Sequence, residues 1–308
     1  MTAWERGIAV EGGVKSREAA AALAAEEAAR VEKETRLRRR VAEEFVKAER
    51  RRRLATVVNR VGLLLAVVLV WEFLSGRVLD LFFFSKPSEI LYQLYLLAVE
   101  GKLWYHLSFT VQEAVYGYLI GVGSGILLGF LFGRYEVLYR MVEPFVIALY
   151  GVPRVALAPL FILWFGLGIL AKIVISAVLV FFIIFLNTVT GIRNVDPQLL
   201  EVVSVMGASE RQKMWKVILP AAAPFIITSM RVCVPLAMIG AIVGEFISTN
   251  RGIGYLLTEA SGAFQTGMLF AGIFILLVVV MAMNFCISLL ESKLTRWKPK
   301  GGQDIIVQ

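Results

Sequence analysis

Histidine, cysteine and charge are scarce in this sequence, and each scarcity removes a class of function. The chain has one histidine and two cysteines in 308 residues. No paired His/Cys metal site can be composed from them, and no Ser-His-Asp constellation is available. Cys233 and Cys286 sit inside apolar runs without metal-ligand spacing, where cysteine behaves as a small hydrophobe. His106 falls at the edge of an apolar run, the place of an interfacial or internally satisfied histidine. No Gly-x-x-x-x-Gly-Lys-Ser/Thr loop occurs, so the chain cannot cradle nucleotide phosphates in that manner. The expectation is a protein with no catalytic residue, no metal and no cofactor of its own.

Charge is short as well. Asp, Glu, Lys and Arg make up 18% of the chain, hydrophobic residues 58%, and the mean hydropathy is +0.73. Soluble domains carry about a quarter charged residues. A soluble fold could not hide this much apolar surface, and a bilayer is the simpler host. The charge is densest over residues 1–53, and the net charge of the whole chain is +8. That basic block abuts the first apolar run. Anionic lipid and cytoplasmic retention, not nucleic acid, are therefore the partners expected of it. No cleavable signal peptide is expected, because the first apolar run begins only at Leu54.

Residues 16–53 are rich in Ala, Glu and Arg, which favour helix. Leu37, Val41, Phe45 and Ala48 give that helix one apolar stripe. Two uses fit: a solvated extension, or a helix on the membrane surface with its arginines at headgroup level. Spans are expected at residues 54–74, 107–132, 170–190, 220–246 and 268–290. Each is long enough to cross a hydrocarbon core of about 30 Å. The third span is interrupted: 141–150 is apolar, Gly151-Val152-Pro153-Arg154 breaks it, and 155–165 resumes. Such a break is tolerated where protein or a water-filled cavity receives the freed backbone groups. A short interfacial helix is expected within 91–99, before the second span. In that span Gly117, Gly121, Gly125 and Gly129 recur every fourth residue, a face on which another helix can pack closely. The fold expected is an all-α polytopic bundle of about six spans. Its divisions are a charged cytoplasmic extension (1–53), a first span with its outer loop (54–106), a core (107–292) and a cytoplasmic tail (293–308). The bias of Lys and Arg places both termini and the 193–219 loop inside.

That loop is well punctuated. Asp196 is a helix N-cap with Pro197 at the first helical position, and Gly207 suits a left-handed stop. Ser209 and Gln212 form a capping-box pair that opens a second short helix, ended by Leu219-Pro220. The paired helices occupy 196–217. The first carries Leu199, Leu200, Val202, Val203 and Met206, an apolar surface that needs cover. Two covers fit: a groove on another protein, or the chain's own bundle. Ionisable residues inside spans mark a path or a pairing. The candidates are Arg154 at the break, Arg231 in the fifth span, and Glu113 and Glu245 toward the outer side. Pro153 and Arg154 would give a transient anion site, or Arg154 would snorkel or pair internally. Arg231 fits a structural role with a carboxylate or carbonyls as partner. Glu245, near Gly252–Gly254, fits an outer gate.

Glu201, then Gly207, then Ile218-Leu219-Pro220 resembles the EAA loop of ABC importer permeases. Gly207-Ala208-Ser209, Gln212, Val217, Leu219-Pro220-Ala221 and Pro224 resemble the nitrate/sulfonate/taurine/bicarbonate branch. So do Ala156-Leu157-Ala158-Pro159-Leu160, Leu163-Trp164-Phe165-Gly166, Asn187-Thr188, Gly244-Glu245-Phe246 and Gly252-Ile253-Gly254-Tyr255-Leu256. The likeness runs in register over residues 87–297, and the chain departs at Val202-Val203, where the family has Ala-Ala. The resemblance implies a type I, MetI-like importer permease of the bacterial inner membrane, multi-pass, with a second copy of itself as homodimer partner. It implies two ATPase subunits that bind ATP and Mg, and an extracytoplasmic substrate-binding protein. It also implies that Leu199, Leu200, Glu201, Val203, Met206, Gly207 and Ser209 couple to the ATPase. The solute expected is small and anionic. The competing class is a stand-alone secondary carrier or channel for a small anion, favoured by the broken span and disfavoured by the absence of a visible internal repeat.

The topology can be tested directly. Single cysteines at Gly76 or Ser261 should react with an impermeant thiol reagent in intact cells, and cysteines at Arg134, Ser209 or Lys300 should not. Labelling of Ser209→Cys from outside would overturn the orientation.

Overall fold

The computed structural model describes residues 48–294 except 53 and 249; the expected helix over 16–47 and the tail from 295 lie outside them. The chain divides into two compact units, Met1–Trp71 and Glu72–Gln308. Within the described residues the first unit is helix α1, Ala48–Leu74, whose last turn enters the second unit.

The second unit is all helix, with no strand among its described residues. Short helices α2 (Leu81–Phe84) and α3 (Pro87–Val99) lead to α4 (Lys102–Arg134). Then come α5 (Glu136–Gly151), a 3-10 turn at Arg154–Leu157, α6 (Ala158–Phe165) and α7 (Ile169–Arg193). The 193–219 segment folds as α8 (Pro197–Val205) and α9 (Glu210–Lys213), followed by α10 (Leu219–Ser248). Helices α11 (Ile253–Gly262) and α12 (Thr266–Leu294) close the unit. Among the described residues five helices are long and apolar enough to cross a membrane: α1, α4, α7, the continuous run Glu210–Ile247, and α12. Glu136–Gly151 and Arg154–Phe165 make a sixth if these two arms, bent by 86° at the Gly151–Pro153 break, are counted as one span. Pro153 supplies no backbone donor there.

The glycine face does what its spacing suggests. A Cβ on Gly121 would lie 2.7 Å from Ala177 O and Val180 Cβ of α7; on Gly125, 2.9 Å from Ile184 Cβ; on Gly129, 2.7 Å from Thr188 Cβ. Gly117 faces Ser176 in the same way. The far side of α7 meets α10 equally closely: Gly240 lies over the Ser176 backbone, and Ser176 Oγ donates to Ala237 O at 2.9 Å. Helix α7 is thus held between two glycine-bearing helices. Tyr118, Val180, Ile184, Val234 and Ala237 fill the space between them.

One boundary departs from expectation. The second loop helix was expected to stop at Leu219-Pro220, yet helix runs without interruption from Glu210 to Ile247. The reason is a π-turn over Met214–Ile218, where Leu219 N bonds to Met214 O, five residues back. Widening the turn rearranges the hydrogen bonds just where Pro220 lacks its donor, so the proline ends nothing. The sequence reading also passed over α11, taking its glycine-rich start for a loop. The remaining spans start or end a few residues beyond expectation.

Substituting Gly121 should separate α4 from α7. Gly121→Ala should cost about 1–3 kcal/mol through overpacking. Gly123→Ala, whose new Cβ meets nothing within 4 Å, should leave stability unchanged or raised. Thermal unfolding of the purified protein in detergent checks the pair, and equal stability would contradict the packing.

Candidate functional site

Three groups of residues stand out. The first is the helix pair α8–α9. Asp196 accepts from Gln198 N at 2.9 Å and Pro197 occupies the first helical position. Gly207, at φ +81°, reverses the chain, with its own N–H on Ser204 O and that of Ala208 on Val203 O. At Ser209 both capping-box bonds are made: Ser209 N donates to Gln212 Oε1 at 2.9 Å, and Gln212 N to Ser209 Oγ at 3.3 Å. Arg134 at the end of α4 binds Glu210 at 2.5 Å, and Lys213 binds the same carboxylate at 2.7 Å.

The apolar surface of α8 divides in two. Leu200 is half-buried against Ile192, Val195, Ile218, Ala222 and Ile226, and Val203 is half-buried too. Leu199, Val202, Val205 and Met206 stay open, at 53%, 58%, 89% and 79% exposure. Glu201, Gly207 and Ser209 are also exposed. The apolar surface is thus divided: the bundle takes Leu200, Val203 is partly covered, and the other four stay open. Val205 was not singled out from sequence, although it completes the open face with Val202 and Met206.

The second group lies at the broken span. The Arg154 guanidinium stacks over Tyr150, 4.7 Å from its centroid, and stands 5.9 Å from the Phe182 ring. Its Nη1 is buried and has no hydrogen-bond partner among the described residues. Pro153 beside it is exposed. A guanidinium with an unused donor at a helix break is chemically an anion receptor. Arg231 differs. It pairs with Glu291 of α12 and donates to Ser288 Oγ at 3.1 Å, which ties α10 to α12.

The third group is a polar cluster where α4, α7, α10 and α11 meet, at the end of α10 away from α8. Lys172 Nζ donates to Glu113 Oε1 at 2.9 Å, with both residues almost wholly buried. Thr110 Oγ1 donates to Glu245 Oε1 at 2.6 Å and Gly254 N to Glu245 Oε2 at 2.6 Å. Ile253 N donates to Thr110 Oγ1 at 2.8 Å, and Gly252 N to His106 Nδ1 at 3.1 Å. His106 is thus an internally satisfied histidine. The first backbone N–H groups of α11, unpaired within their helix, are taken up by these side chains. Gly252 has φ +105°, and a Cβ there would collide with the Glu245 carboxylate. Sequence reasoning missed Lys172. Close to the start of an apolar run, a lysine looks like an end residue that snorkels to the interface. The nearby Gly244, which packs on the Lys172 stem, was the available signal. No group of three or more His, Cys, Asp or Glu able to hold a metal occurs among the described residues.

Several apolar spans, one of them broken beside a cationic donor, and a capped loop of two short helices describe a polytopic membrane protein. The chain belongs to the binding-protein-dependent transport system inner membrane component family, which matches residues 121–297. It is 36% identical over 240 residues to the putative aliphatic sulfonates transport permease protein SsuC of Bacillus subtilis (strain 168), covering 77% of this chain and 87% of that protein. To the formylaminopyrimidine transport permease protein ThiX of Halalkalibacterium halodurans it is 33% identical, covering 77% and 94%. To the taurine transport system permease protein TauC of Escherichia coli (strain K12) it is 25% identical, covering 78% and 90%. Among solved structures, a chain of the inward-facing MetNI methionine ABC transporter superposes with a TM-score of 0.52 at 21% identity, covering 66% of this chain and 98% of that one. That likeness speaks for the fold. The protein is a multi-pass inner-membrane permease subunit of an ABC importer, with the MetI-like fold.

Proposed function

We propose that this permease forms the translocation path for a small anionic solute and is driven by separate ATPase subunits that engage the open face of α8. The observation that carries the coupling is that face. Leu199, Val202, Val205 and Met206 project from a helix capped at both ends, while Leu200 anchors it to the bundle. A short rigid helix with one open apolar side suits a groove on a partner. Both termini and the α8–α9 segment lie on the cytoplasmic side in this reading, where ATP and Mg bind to the partner. Two ATPase subunits, a second copy of the permease and an extracytoplasmic binding protein complete the assembly. Glu245 and the start of α11 then belong to the outer gate.

The anionic solute rests on Arg154 and its unused Nη1, and it agrees with the sulfonate and taurine permeases among the relatives. The stand-alone carrier draws on the buried Lys172–Glu113 pair, since charged groups inside spans also serve ion coupling. Vesicles holding the permease alone separate the two. Uptake driven by a proton or sodium gradient would favour the carrier.

Two mutational tests follow. Val205→Asp and Met206→Asp should each place an unpaired charge in the partner's groove and weaken ATPase co-purification by several kcal/mol, with membrane insertion intact. Leu200→Asp should instead destabilise the permease itself, because Leu200 faces the bundle. If both exposed-face variants keep the ATPase and transport normally, α8 is not the coupling element. Arg154→Ala should lower uptake roughly tenfold or more while assembly and basal ATP hydrolysis persist, and Arg154→Lys should be milder. An Ala variant that fails to assemble would make Arg154 structural.

A further inference from the structure

The polar cluster near α11 carries a charge problem that its hydrogen bonds resolve. Thr110, Glu113, Lys172 and Glu245 are 0–2% exposed, and two carboxyl groups share one ammonium. Were both ionised, the cluster would hold a net negative charge in a medium that solvates it poorly, and two anions would lie side by side.

The donors and acceptors say which group differs. Glu245 uses both oxygens as acceptors, Oε1 from Thr110 Oγ1 and Oε2 from Gly254 N. A proton on either oxygen would face an incoming donor, so Glu245 is the anion. Glu113 uses only Oε1, which accepts from Lys172. Its Oε2 is buried and has no hydrogen-bond partner among the described residues, while its carboxyl group lies within hydrogen-bonding range of the Glu245 carboxyl. An acceptor without a donor, set against a second carboxylate, is the signature of an unseen proton.

We propose that Glu113 and Glu245 form a proton-binding site, with one proton held on Glu113 Oε2 and donated to Glu245. The cluster then sums to zero charge: one ammonium, one carboxylate, one neutral acid. The remaining neighbours keep it so. His106 Nδ1 accepts from Gly252 N, which leaves the ring neutral with its hydrogen on Nε2. From α12 the apolar side chains Leu276, Val279 and Val280 pack beside Ala114 and Ala241, next to this level. Lys102 and Glu259 lie beyond His106 and are exposed, and Arg251 stacks over Phe109. The proton ties α4 to α10, and through Gly254 and Thr110 it ties both to the start of α11. It is resident, not cargo: moving it would leave a buried charge unmatched.

Amide substitution tests this by asymmetry. Glu113→Gln replaces the acid hydroxyl with an amide N–H donor. Its Oε1 still accepts from Lys172 and its Nε2 still donates to Glu245, so Tm should stay within about 2 °C of the parent. Glu245→Gln leaves Lys172 paired with Glu113 but sets an amide donor against the Thr110 hydroxyl or the Gly254 N–H, and Tm should fall by roughly 10 °C. Infrared spectra of the purified full-length permease in lipid vesicles, in H2O and D2O, should show a protonated carboxylic C=O stretch that Glu113→Gln removes. Uptake by the assembled transporter should be unchanged in Glu113→Gln. A wild-type protein without that band, a band that survives Glu113→Gln, or equal destabilisation by the two substitutions would each overturn the assignment. Loss of uptake in a stable Glu113→Gln protein would overturn the resident role and make the proton part of the transport cycle.

Discussion

The close approach of α4 and α7 is the constraint on which the rest of this structure depends. In lipid there is no hydrophobic drive to bring helices together, so contact must come from shape and from hydrogen bonds. The glycines at 117, 121, 125 and 129 remove the side chains that would keep the two backbones apart. That approach brings Lys172 within reach of Glu113 and exposes the opposite side of α7 to Gly240 and Gly244 of α10. A wider spacing would leave an ammonium and a carboxyl group buried without each other, at a cost of several kcal/mol per ion. Small residues and buried charge are therefore one arrangement: the first makes the second tolerable.

The polar groups of the bundle divide by what satisfies them. Arg231 is matched by Glu291 and Ser288, Lys172 by Glu113, and the start of α11 by Glu245, Thr110 and His106. Arg154 alone among the candidate cations named from sequence keeps a buried nitrogen with no hydrogen-bond partner among the described residues. Matched groups hold helices in place, whereas an unmatched donor can offer its bond to something that comes and goes. The same division runs through α8, where Leu200 is covered and Leu199, Val202, Val205 and Met206 are not.

Features set by local chemistry were legible in the sequence. The glycine period, the Asp196 cap, the Gly207 reversal, the Ser209–Gln212 box and the Gly151–Pro153 break all follow from one stretch of chain, and the likeness to importer permeases ran through the same motifs. What escaped depends on distant residues meeting. Lys172 is an end-of-span lysine until Glu113, 59 positions earlier, is seen to face it. Glycines 252 and 254 resemble a loop until Glu245 and His106 receive their N–H groups. Pro220 reads as a stop until the π-turn before it is seen to shift the Leu219 N–H onto Met214 O. The two sides of α8 could not be told apart until Ile192 and Ala222 were seen beneath one of them.

The unbroken run from Glu210 to Ile247 has a thermodynamic consequence. Its 38 residues span about 57 Å at roughly 1.5 Å each, with the Arg134–Glu210 pair at one end and the Glu245 cluster near the other. To the extent that such a rod moves as one body, free energy passes along it in both directions. Whatever grips the Gly252–Gly254 end must then alter affinity at the loop end by the same factor that the loop's occupant exerts in return. Neither end is the master of the other; direction comes from whichever occupant is consumed.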